Sequence, residues 1–316
     1  MSAHLVDVHH HILPPKYVAE VGDARIGPLT VAGRTPEWTA ERSLEAMERN
    51  GIASAVTSIS TPGVWFGDGP ESRALARHCN DFAAELRRDH PRHFGFFASL
   101  PLPDVEGSLA EIGHALDQLE ADGIGLMTNY GGRYPGEADF APVFEELDRR
   151  GAIVYFHPTA APCGFALDNI PAATLEFPFD TTRAITSLLA GGTFARCRNI
   201  RFIFSHAGGA VPFLAERIAR LEARPDFKKA VPEGVVAELR RLYCDTALSA
   251  NRFAFAALLE LVGIEKVLFG SDYPFAPEAT MTASVRALKT LGLAAADLLA
   301  VERRNALALF PRLGKG

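Results

Sequence analysis

The sequence sets imidazoles and one carboxylate directly after short apolar runs. The first run ends Val6-Asp7-Val8-His9-His10-His11. In an extended strand alternate side chains share a face, so His9 and His11 point together and His10 points away. Later runs end Tyr155-Phe156-His157-Pro158, Phe204-Ser205-His206 and Gly270-Ser271-Asp272. Taken singly, each has an ordinary reading. An H-x-H pair is a weak signal, His157 alone is a core histidine, and Asp272 caps a following helix. Together, His9, His11, His157 and Asp272 suit one borderline divalent ion such as Zn2+ or Mn2+, or Fe2+, with positions left open for water or substrate. His206 is either a fifth ligand or a proton-transfer residue. Gly208 and Gly209 after it allow close backbone approach and open a helix, an arrangement that also suits an anion.

The elements that must position these groups follow from periodicity. Leu5–Val8, Ile52–Ile59, Phe94–Leu100, Ile124–Met127, Ala152–Phe156, Ile200–Phe204, Leu242–Asp245 and Val267–Gly270 are near-continuous apolar runs, as strands buried on both faces should be. Amphipathic patterns at Thr39–Asn50, Glu71–Arg88, Ser108–Ala121, Ala141–Arg150, Pro212–Leu221 and Arg252–Val262 read as helices between them. Gly51, Gly123 and Gly151 follow three of these helices and suit left-handed caps. Eight strand-then-helix units predict a single-domain (β/α)8 TIM barrel over residues 1–316, whose strand C-terminal ends form the active site. An open doubly wound sheet is the competing fold. It would carry a Gly-rich phosphate loop after strand one, where this chain has His-His-His.

Composition narrows the function classes. Hydrophobic residues make up 48% and charged residues 22% of the chain, enough for a sizeable core. The net charge of -6, with Lys and Arg spread among acids, argues against a nucleic-acid partner. Cys79, Cys163, Cys197 and Cys244 form no C-x-x-C pair, which weakens a thiolate zinc site or redox motif. Neither an apolar leader nor an 18-residue apolar stretch is present, so a cytoplasmic protein without a membrane partner is expected.

The DVHHH opening, the NDFAAEL helix from Asn80, the YFHP strand end, the SHAGG turn and GSDYPF from Gly270 resemble the amidohydrolase superfamily. The likeness is to the branch of aminocarboxymuconate-semialdehyde decarboxylase and its hydroxybenzoate-decarboxylating relatives. It implies one ion on His9, His11, His157 and Asp272, with His206 moving protons beside it. Dinuclear relatives carry a bridging lysine at the end of strand four. Here that position reads Leu126-Met127-Thr128-Asn129-Tyr130, which implies a mononuclear site. The resemblance also implies a homodimer, with Arg217 reaching the neighbouring subunit to bind a substrate carboxylate. A surface ion pair is the ordinary alternative for Arg217. A second substrate arginine has no in-register match, since Arg34 is displaced, and this puts the muconate substrate itself in question.

The expected partner is therefore a small carboxylate: an aromatic or dienyl acid of the ortho-hydroxybenzoate type, such as a methylsalicylate, losing CO2 without an organic cofactor. His206 or Asp272 would deliver the proton. Trp65, Phe66, Tyr130, Tyr273 and Phe275 are candidate ring-stacking residues, with Tyr130 and Phe275 placed in the substrate site. The competing reaction is hydrolysis of an amide, ester or lactone by a metal-activated water, with hydration of a double bond a third possibility. A non-catalytic metal-binding protein would instead show a closed shell and no pocket.

Overall fold

Eight apolar runs become eight short strands because each is buried from both sides. They are β1 Leu5–His11, β2 Ile52–Ser58, β3 Phe94–Ser99, β4 Gly123–Met127, β5 Ile153–His157, β6 Arg201–Phe204, β7 Tyr243–Asp245 and β8 Val267–Leu268. The computed structural model describes residues 4–160 and 167–314. Every strand pairs in parallel with the next in sequence. The segment after β8 returns to β1: Val8 N donates to Phe269 O, Asp272 N to His9 O and His11 N to Tyr273 O, at 2.7–2.9 Å. The ring so closed is the expected (β/α)8 barrel.

Its interior is a layer of alternate strand residues: Val6, Val8, Val56, Phe97, Ile153, Tyr155, Ile203 and Leu268. Ala306, Phe310 and Leu313 from the C-terminal segment join this cluster. A strictly alternating β1 could not send both the Val6/Val8 pair and the His9/His11 pair inward. The register of β1 on β2 slips between Asp7 and His10, and this bulge re-aims the strand end.

The main helices are α1 Pro15–Val21, α2 Ala40–Asn50, α3 Gly69–Asp89, α4 Val105–Gly113, α5 Ala141–Arg149, α6 Ala172–Ala190, α7 Val211–Ala219, α8 Arg252–Val262 and α9 Glu278–Leu288. Side-chain caps fix several starts: Thr39 accepts from Arg42 N, Asp68 from Glu71 N, Asp104 from Gly107 N and Asn251 from Phe253 N. Gly51 and Gly151 take the left-handed conformation expected of them. Gly123 does not; it opens β4, where a Cβ would meet Ile153 O at 2.6 Å, and Glu120 supplies the left-handed turn instead. Helix α6 carries no clear apolar stripe, because Pro178 lies inside it and threonines crowd its middle, so periodicity alone does not reveal it. Cys79, Cys197 and Cys244 are buried free thiols. Cys163 lies outside the described residues. No helix among the described residues is long and apolar enough to cross a membrane.

Candidate metal centre

Three imidazoles are aimed by what holds their outer nitrogen. Asp245 Oδ2, at the end of β7, accepts from His9 Nδ1 at 2.9 Å. Ser58 O accepts from His11 Nδ1 at 3.3 Å, and Pro158 O from His157 Nδ1 at 2.8 Å. Each ring therefore carries its proton on Nδ1 and turns an Nε2 lone pair inward. These lone pairs converge on one carboxylate oxygen. Asp272 Oδ1 lies 3.2 Å from His9 Nε2, 3.0 Å from His11 Nε2 and 4.0 Å from His157 Nε2.

His9 Nε2 and His11 Nε2 stand only 3.0 Å apart, and His157 Nε2 is buried with no hydrogen-bond partner. Facing lone pairs beside a carboxylate repel one another unless a cation sits among them. The four ligand atoms lie within 4.8 Å of one another, and all four residues are buried. The donor set thus fits a single borderline divalent ion.

The electrostatics agree. Burial alone would lower the His9 pKa, but Asp245 and Asp272 outweigh it and raise it to about 10. Burial lowers His11, and it holds His157 well below the usual imidazole value with help from the charge on its neighbours. Burial would raise Asp272, yet His9, His11 and His206 hold its carboxyl well below the usual range.

His10 points away, as its place in the strand requires. It is buried, with Nδ1 on Asp7 Oδ2 at 3.1 Å and Nε2 on the Ser43 hydroxyl at 3.0 Å. Asp7 also accepts from the Ser271 hydroxyl and amide, which anchors the residue preceding Asp272. Asp272 does not cap a helix, since α9 starts only at Glu278.

His206 stands on the other side of the carboxylate, its Nε2 3.5 Å from Asp272 Oδ2. Both of its ring nitrogens are buried without hydrogen bonds. It is outside the group of four converging ligands. Four amides of the turn around it are already engaged, which leaves little for an anion. His206 N donates to Asp245 Oδ1, Gly208 N to Ser205 O, Gly209 N to His206 O and Ala210 N to Thr182 Oγ1. The glycines serve packing instead: a Cβ on Gly209 would lie 2.2 Å from Pro178 O of α6.

Above the cluster lies a cavity of about 180 Å3 that reaches His157, His206 and Asp272. Its wall is apolar through Leu29, Val31, Phe177, Leu248 and Phe275, and no Lys or Arg among the described residues lines it. Ser60 adds a buried hydroxyl with no partner. Of the aromatic residues singled out from sequence, Phe275 alone lines this cavity, edge-on to His11. Trp65 and Tyr130 line an adjoining hollow, beyond a hydrogen bond between the Thr61 and Thr159 hydroxyls. The Tyr130 hydroxyl accepts from Met127 N. Phe66 lies under Arg25, and Tyr273 and Arg34 border a third hollow behind Phe275. Arg217 is exposed on α7, forms no ion pair among the described residues and does not line the cavity.

Sequence reasoning missed Asp245, Phe177 and Ser60. Asp245 also ends an apolar strand, the signal that singled out the ligands. Phe177 sits on the helix that periodicity hid.

With this geometry in view, the likeness to known proteins has a physical basis. The amidohydrolase family model matches residues 6–312, and the chain belongs to that family. A 6-methylsalicylic acid decarboxylase of Aspergillus aculeatus is 37% identical, over 98% of this chain and 96% of its own length. A solved amidohydrolase II structure superposes with a TM-score of 0.89 at 30% identity, covering 97% of this chain and 99% of that one. A dihydroxybenzoic acid decarboxylase from Polaromonas, solved with bound manganese, shares the fold at a TM-score of 0.83 and 21% identity, covering 100% of this chain and 98% of that one. The protein is an enzyme of the decarboxylase branch.

Proposed function

We propose that the protein releases CO2 from a 2-hydroxybenzoate bearing a small apolar substituent, a methylsalicylate, in a mononuclear site. The observation that carries this reading is the cavity's mixed lining. Orphan polar atoms on Ser60, His157 and His206 share it with the apolar side chains of Leu29, Val31, Phe177, Leu248 and Phe275. A planar ring with its hydroxyl and carboxylate on one edge suits such a lining.

His9, His11, His157 and Asp272 would hold one divalent ion, Mn2+ or Zn2+, which would supply Lewis-acid neutralisation of the substrate's negative edge. The protein's side chains do the rest. Phe275 and Phe177 hold the ring. His206, with Nε2 3.5 Å from Asp272 Oδ2 and outside the four ligands, delivers a proton to the ring carbon bearing the carboxylate. The carbon–carbon bond then breaks, CO2 leaves, and the electron pair of that bond restores aromaticity.

The same proposal includes a homodimer. Phe213 on α7 is 86% exposed and Phe253 on the neighbouring α8 is 76% exposed, both in the first turn of their helices. Arg217 on the same helix as Phe213 is then placed to reach a partner's site. Residues 1–316 act as one catalytic domain, and the free thiols suit a reducing cytoplasm.

The test is CO2 release from 6-methylsalicylate and salicylate by protein loaded with Mn2+ or Zn2+. Esters, lactones and amides are run in parallel. Chelator-sensitive CO2 release is expected; chelator-sensitive hydrolysis without CO2 would replace this reading with that of a hydrolase.

A further inference from the structure

Leu248 breaks two rules of its residue type at once. It is a large aliphatic side chain left 48% exposed, and its backbone has φ of +53°. That left-handed conformation suits Gly or Asn and is strained for a bulky residue. Such strain persists only where the surroundings over-determine it. Here they do: Asp245 Oδ1 accepts from Ala247 N at 2.9 Å, Thr246 N donates to Leu268 O, and Ser249 N donates to Thr246 O.

The strained turn aims Leu248 at the cavity it lines with His206, Asp272 and Phe275. One carboxylate, Asp245, orients the ligand His9, fixes the backbone of His206 and pins this turn. A locally unfavourable residue held by the same group that builds the site points to a role in the site.

We propose that Leu248 is a specificity-determining residue. Its side chain covers the apolar edge of the bound ring, favouring a methyl group beside the carboxylate over a hydroxyl at the same position. This rests on the hydroxybenzoate reading above. Among the described residues no cation or amide side chain lines the cavity to receive a second polar substituent; the Thr30 and Thr61 hydroxyls are already engaged, and the unpartnered Ser60 hydroxyl serves the substrate's own hydroxyl and carboxylate edge. In an apolar pocket, a change of one methylene alters specificity by about 10- to 200-fold.

The substrate pair that isolates the effect is 6-methylsalicylate and 2,6-dihydroxybenzoate, which differ only in methyl against hydroxyl. Asn tolerates the left-handed backbone, so Leu248→Asn should keep or raise the unfolding temperature. The expected result is a fall of at least about 10-fold in the methyl-to-hydroxyl ratio of kcat/KM, mostly through a higher KM for 6-methylsalicylate. Leu248→Met, which keeps an apolar side chain, should hold that ratio within about 3-fold. An unchanged ratio in Leu248→Asn, with the wild type active, overturns the inference. So does an altered oligomeric state with the ratio intact, which would make Leu248 a subunit-packing residue. Absence of CO2 from both substrates in the loaded wild type would instead remove the hydroxybenzoate reading, and the inference with it.

Discussion

The two ends of the barrel obey opposite rules. Toward the N-terminal ends of the strands, Val6, Ile153 and Ile203 pack with Phe310 and Leu313 into an apolar, interlocked layer. At the other end, His157 and His206 keep buried nitrogens without partners, and His206, Ala207, Leu248 and Asp272 all take positive φ. Unpaired buried groups and strained backbone are unfavourable for stability. Four of the six non-Gly residues at positive φ among the described residues lie around the site, so that end carries more of these costs than the packed end, which must offset them. Asp245 and Tyr155 sit at the boundary: the Tyr155 ring stacks on Phe97 in the core, and its hydroxyl reaches Asp245 Oδ2 at 3.3 Å.

If this division is right, substitutions at the two ends should fail in different ways. The largest loss is expected for Asp272→Asn, which removes the carboxylate on which three imidazoles converge. Turnover should vanish and bound metal should fall, measured by CO2 release and elemental analysis, and normal activity would remove Asp272 from the mechanism. His206→Gln should lower kcat by about 10²- to 10⁴-fold while leaving metal content intact. Loss of metal in that variant would make His206 a ligand rather than a proton carrier.

Phe310→Ala at the packed end should destabilise the fold by roughly 3–5 kcal/mol in denaturant titration. Its metal affinity should stay within about 3-fold of wild type if the two ends are energetically separate. Asp245→Asn tests the boundary. Metal affinity should weaken by about 10- to 100-fold, because the group orienting His9 is altered. A fall of similar size in Phe310→Ala would collapse the distinction between the ends.

The smallest effect expected is on pH dependence. His9 is raised to about 10 in the metal-free fold. Its contribution to that fold is therefore complete below the unfolded value near ~6.5 and is lost as pH rises through the folded value. The ion must displace this proton, so the rise in unfolding temperature on adding Mn2+ should be larger at pH 9 than at pH 6.5. Equal rises at both would mean that no ligand proton is released.

Much of the fold was legible because buried parallel strands announce themselves as continuous apolar runs, and residues at their ends are placed by topology alone. That logic reached His9, His11, His157, His206 and Asp272. It did not reach the bulge in β1, since register depends on β2 as much as on β1 itself. Phe177 escaped because Pro178 and the nearby threonines blur the period of α6. Tyr130 sits near the site in sequence logic but borders a different hollow, because Thr61 and Thr159 close the space between. Which loop residues face a cavity is settled by such long-range contacts, to which periodicity is blind.

The central claim is most directly tested by titrating metal-free protein with Mn2+ while following CO2 release from 6-methylsalicylate. The account predicts activity that rises linearly and breaks at one ion per chain. A break at two ions, or activity without added metal, would contradict it.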